Sequence, residues 1–131
     1  MSDWQRDILD WLKKYSGHKV SHDEGSLTVL CDNPESDDVS IWGEGNCYLV
    51  SFGSWHEHFD NVEDAMSCFK FCLVEKCRLK VTLRGDKEYA WTLQTQEPEG
   101  WEDGPMTGLI FIPFWKPKRF EFRHNELPLR T

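Results

Sequence analysis

Apolar residues recur along this chain with two different periods. Trp4, Ile8, Trp11, Leu12 and Tyr15 fall three or four apart, with Leu9 beside them, which puts them on one face of a helix. Ser2 and Gln5 have capping-box spacing, and Gly17 suits the position after a helix end. The pattern predicts a first helix over residues 3 to 16. Val62, Ala65, Met66, Phe69, Cys72 and Leu73 repeat it and predict a second over residues 61 to 77. Asp60 or Asn61 would cap that helix, and Asp60 with Glu63 again has capping-box spacing.

Elsewhere the period is two. Residues 26 to 31, 38 to 42 and 47 to 52 are rich in β-branched and aromatic side chains. Asp32 to Asp38 separates the first two as an exposed acidic loop, and Gly43-Glu44-Gly45-Asn46 turns the chain between the next two. Leu79, Val81 and Leu83 alternate with polar residues, as do Tyr89, Trp91 and Leu93, and Gly85-Asp86-Lys87 between them predicts the clearest hairpin. Residues 96 to 107, with Pro98, Gly100, Gly104 and Pro105 among acids, read as a second exposed loop. Leu109 to Ile112 reads as a buried strand, and Phe120 and Phe122 mark a last one. The tail from Asn125 carries no periodic signal. The expected fold is one α+β domain over residues 1–131: a single, largely antiparallel sheet of five to seven strands with two helices packed on one face.

Composition sharpens this. Aromatic residues make up 14% of the 131 positions, enough bulk for one core without staples. The net charge of −8 repels nucleic-acid phosphate and anionic membranes, so neither is an expected partner; a basic protein is. Five Cys in no extracellular framework, no signal-peptide pattern and no long apolar run point to a cytoplasmic protein with reduced thiols.

Candidate chemistry concentrates in Ser54-Trp55-His56-Glu57-His58-Phe59-Asp60, just before the second helix. In an extended segment His56 and His58 share a face and could share a metal, though further ligands must come from His18, His22, Asp60 or a Cys, none at diagnostic spacing. The bland alternative is a strand end feeding a helix. Cys68 and Cys72 share a helix face and read as small buried hydrophobes. No nucleophile elbow, phosphate-binding Gly loop or Ser-x-x-Lys is present, so no catalytic residue, cofactor or metal is assigned, and binding is preferred to catalysis. Trp101 stands among Glu97, Glu99, Glu102 and Asp103. Its ring either folds back as a lid or anchors a partner that the carboxylates attract. The candidate binding residues are therefore Trp101, Glu97, Glu99, Glu102, Asp103, Trp55, His56, Glu57 and His58. A small metal-binding protein or enzyme centred on His56 and His58 is the alternative.

The Trp55-His56-Glu57-His58-Phe59 segment, the helix starting near Asn61 and the Leu79 to Gly85 strand resemble small acidic bacterial immunity proteins of polymorphic and contact-dependent toxin systems. That resemblance implies neutralisation of a toxin domain by tight binding. It carries over no functional residue.

Overall fold

Alternation along each strand decides which side chains enter the core, and in the computed structural model two sheets use it against each other. The structure describes residues 1–15, 19–30, 37–109 and 115–125. The elements run α1 (Asp3–Leu12), β1 (Lys19–Asp23), β2 (Ser26–Leu30), β3 (Val39–Glu44), β4 (Cys47–Phe52), β5 (Trp55–Phe59), α2 (Val62–Phe71), β6 (Cys77–Arg84), β7 (Lys87–Glu97), β8 (Gly100–Gly108) and β9 (Lys118–Arg123). Strands β1 to β5 form an antiparallel sheet in sequence order; a second antiparallel sheet has the order β8-β7-β6-β9. The fold is thus mostly β, with two separate sheets and two short helices. This corrects the expected single sheet with both helices on one face. A period of two says which face of a strand is buried, but not which strands share hydrogen bonds.

One core joins the parts. Leu27, Val29, Val39, Ile41, Val50 and Phe52 from the first sheet meet Leu79, Val81, Trp91 and Leu93 from the second, with Ile8, Leu12, Ala65 and Phe69 from the helices. Helix α2 packs on β3, β4 and β5. The sheets meet at β5 and β8 through side chains. Trp55 Nε1 donates to the Pro105 carbonyl at 3.0 Å, and Thr107 Oγ1 accepts from His56 N and donates to His56 O, both at 3.2 Å.

Both helices are shorter than predicted. Asn61 caps α2, its side chain accepting from Asp64 N at 2.9 Å. The helix ends in tightened turns, with Leu73 N donating to Lys70 O and Val74 N to Phe71 O, so Cys77 opens β6 instead of closing the helix. Residues 100–108 form strand β8, correcting the expected loop. Its acids hide the alternation because this strand lies at a sheet edge and only Trp101 and Thr107 are half-buried. Pro98 lies in the hairpin turn, and Pro105 needs no ladder N–H at an edge. The Gly85-Asp86 turn forms as predicted, with Gly85 at φ +59°, where a side chain would be strained. β1 carries no alternating pattern in the sequence, because Val20 is its one apolar residue. Asp32 to Ser36 of the acidic loop, Ile110 to Ile112 of the expected strand, Gly17, His18 and the tail beyond Asn125 lie outside the described residues.

Register decides the two faces of β9, which forms where the Phe120 and Phe122 alternation predicts a last strand. Phe120 and Phe122 pair with Thr82 and Lys80 on the outer face and are exposed, whereas Arg119, Glu121 and Arg123 oppose Leu83, Val81 and Leu79. Arg123 is mostly buried and holds Asp37 at 3.2 Å, Glu88 at 3.0 Å and Glu121 at 3.0 Å.

Candidate functional site

The residues singled out from the sequence are not gathered into one site. Trp55 is buried in the core at the seam between the sheets. His56 and His58 project from the outer face of β5, opposite Ser51 and Leu49, with ring centroids 6.1 Å apart and edge to face. Glu57 projects the other way and is also exposed. Among the described residues no group of three or more His, Cys, Asp or Glu could hold a metal.

Trp101 is folded back onto its own sheet. The Arg78 guanidinium lies 4.1 Å from the Trp101 ring centre and 4.0 Å from that of Phe122, and His124 meets Trp101 edge to face at 6.2 Å. Burial holds the Arg78 guanidinium below its usual range. Asp103 is engaged within the sheet: Gln94 donates to it at 2.8 Å and Lys80 lies at 2.9 Å. The hydrogen bond from Gln94, then the one from Lys80, holds its carboxyl below the usual carboxylate range. Glu97 ends β7, and Glu99 sits in the turn that follows; both are exposed, as is Glu102 on β8.

Cys72 and Cys77 are buried, Cys68 is half-buried and Cys47 is exposed. Cys47, Cys68, Cys72 and Cys77 are free. Hydrogen bonding to Cys68, then to Cys77, and burial push the Cys72 thiol up, and the bond from Cys72 draws Cys68 down.

Two features escaped sequence reasoning. The first is segregation of charge. Residues 1–75 carry 15 acidic and 5 basic side chains; residues 76–131 carry 8 and 10. The boundary falls between α2 and β6, so the first sheet and the helices carry the negative charge and the second sheet is slightly positive. Counting charge by halves would have found it.

The second is a hollow of about 500 Å³, open to solvent, at one end of the first sheet. It is lined by Ser2 and Trp4 at the start of α1, Glu24 and Gly25 of the β1–β2 turn, Trp42 to Gly45 of the β3–β4 hairpin, and Tyr48. Buried Gln5 fixes the first two parts together: its Nε2 donates to Asp23 O and Ser26 O, and its Oε1 accepts from Ser2 N, each at 2.9 Å. Gly43 N donates to Gly25 O at 2.9 Å and joins the two turns. Trp4 and Tyr48 meet edge to face, centroids 6.4 Å apart, over Gly43, where any Cβ would collide with the Tyr48 ring. The sequence signal is the Gly43-Glu44-Gly45-Asn46 run, which its composition marks only as a turn.

No protein-family model matches the chain, and it has no match among curated proteins or solved structures. Among the described residues no helix is long and apolar enough to cross a membrane.

Proposed function

We propose that this protein is a binding module whose acidic half recognises a basic protein, in the manner of a toxin-neutralising immunity protein. The observation that carries the reading is the segregated charge: 15 acidic against 5 basic groups over residues 1–75. Such a field raises the encounter rate with a basic surface and disfavours acidic competitors. The exposed carboxylates of Glu24, Glu44, Glu57, Glu63 and Asp64 are on this half.

The test is co-expression with basic polypeptides encoded beside the gene. The reading expects a complex that survives at physiological salt and whose association slows as added salt shortens the Debye length to about 8 Å and below. If no basic neighbour co-purifies, or the complex forms at a rate indifferent to salt, the reading fails.

A further inference from the structure

The hollow between α1 and the two turns has the chemistry of a cation receptor. We propose that it receives the charged end of a lysine or arginine side chain from the basic partner, an inference that deepens the function above and rests on it.

Three observations converge. Trp4, Trp42 and Tyr48 line the hollow, and aromatic faces carry the negative end of the ring quadrupole, which attracts ammonium and guanidinium groups. Glu24 and Glu44 enter from separate turns, and no Lys, Arg or His is among the lining residues. Among the described residues neither carboxylate is in an ion pair, although the chain has 15 basic side chains, so both are available to a cation from outside.

The walls are also fixed before any partner arrives. Gln5 clamps α1 to the β1–β2 turn, the Gly43-to-Gly25 bond clamps that turn to the β3–β4 hairpin, and the Tyr48 hydroxyl donates to Gly45 O at 3.1 Å. A receptor held in shape loses less freedom on binding. The volume falls in the range of about 300–1,000 Å³ usual for ligand sites. Its openness suits the tip of a side chain presented by a protein surface.

The aromatic sites elsewhere differ. Around Phe120 and Phe122 the protein's own Arg78, Lys80 and Lys118 already lie over the rings. Here the rings and carboxylates are present and the cation is missing from the chain itself.

The experiment is a nuclear magnetic resonance titration of the isotope-labelled chain with N-acetyl-lysine amide, N-acetyl-arginine amide and, as the neutral control, N-acetyl-norleucine amide. Saturable shifts at the Trp4 and Trp42 indole N–H groups and at Gly25, Gly43 and Gly45 are expected with the two cations and not with the control. The stronger of the two cations identifies the preferred side chain. A Glu24→Gln, Glu44→Gln double variant, at two exposed positions, should keep the wild-type spectrum elsewhere and weaken binding by about tenfold. Absence of those shifts, or equal shifts with the neutral control, overturns the proposal. A lysine-rich peptide titrated in parallel separates the two readings. If it binds wild type and the double variant equally, the hollow is not the receptor but the acidic half still recognises basic chains. If neither the amides nor the peptide bind, both readings fall.

Discussion

The two sheets share a core and differ in what they turn outward. Across the first, Ser21, Thr28, Ser40, Ser51 and His56 lie in one register row, a band of small polar groups with the Ser40 and Ser51 hydroxyls bonded to each other. Across the second, Arg78 lies over Trp101 and Phe122, while Lys80 lies over Phe120 and pairs with Asp103. In the second sheet Arg78, Lys80 and Lys118 lie over aromatic rings and Arg119 and Arg123 pair with carboxylates, while Glu97, Glu99 and Glu102 of the β7–β8 hairpin stay exposed. The first leaves its carboxylates facing water and gathers two of them beside aromatic rings. Surface charge spent within the fold serves stability, and unpaired charge is what remains for a partner. That contrast directs recognition to the first sheet, although the sequence draws attention to the Trp101 hairpin of the second.

The largest effect should come from the seam. Trp55 is fully buried and bonded to Pro105, so Trp55→Ala should cost about 3–5 kcal/mol. Urea unfolding should show one transition moved to lower denaturant, because both sheets share one core. Two separated transitions would mean that the sheets fold independently and do not share one core. Next comes the Arg123 network. Arg123→Met leaves Asp37, Glu88 and Glu121 without their shared cation and should cost about 2 kcal/mol, less than a fully buried pair because these carboxylates are partly solvated.

Trp101→Ala removes one ring from the Arg78 stack, with an expected loss of about 1 kcal/mol in stability and no change in partner binding per folded molecule. A loss of binding with unchanged melting would make the ring an anchor after all. The smallest effect is one of pH. The carboxyls of Asp103, held by Gln94 and Lys80, and of Glu121, held by Arg123 and Arg119, both lie below their ordinary values. Groups with folded values below unfolded ones stabilise the fold above the ordinary carboxylate range, near pH 4, and lose that contribution as pH falls through the lower folded values. Acid titration of Asp103→Asn followed by circular dichroism should show a shallower loss of stability between those points than wild type.

Legibility in the sequence followed local chemistry. The Gly85-Asp86 and Gly45-Asn46 hairpins, the Ser2–Gln5 pairing and the apolar faces of both helices could be read because spacing alone specifies them. The split into two sheets could not, since it depends on which strand edges meet. Nor could β8, whose edge position leaves every site but Trp101 and Thr107 exposed and erases the apolar alternation. The conspicuous residues misled for a related reason. Trp55 and Asp103 look available in one dimension, yet Pro105, Gln94 and Lys80 engage them in three. Glu24, Trp42 and Glu44 are unremarkable in sequence and are brought to one hollow by two adjacent turns.

The most direct test of where recognition lies compares two pairs of exposed carboxylates on the same protein. Association with a basic partner, or with a lysine-rich peptide in its place, is timed for Glu24→Gln, Glu44→Gln and for Glu97→Gln, Glu99→Gln at low and physiological salt. The account predicts that the first pair slows association by about tenfold at low salt and that the second leaves it near wild type. Slowing by the second pair and not by the first would place the partner on the β7–β8 hairpin and contradict the assignment of binding to the first sheet.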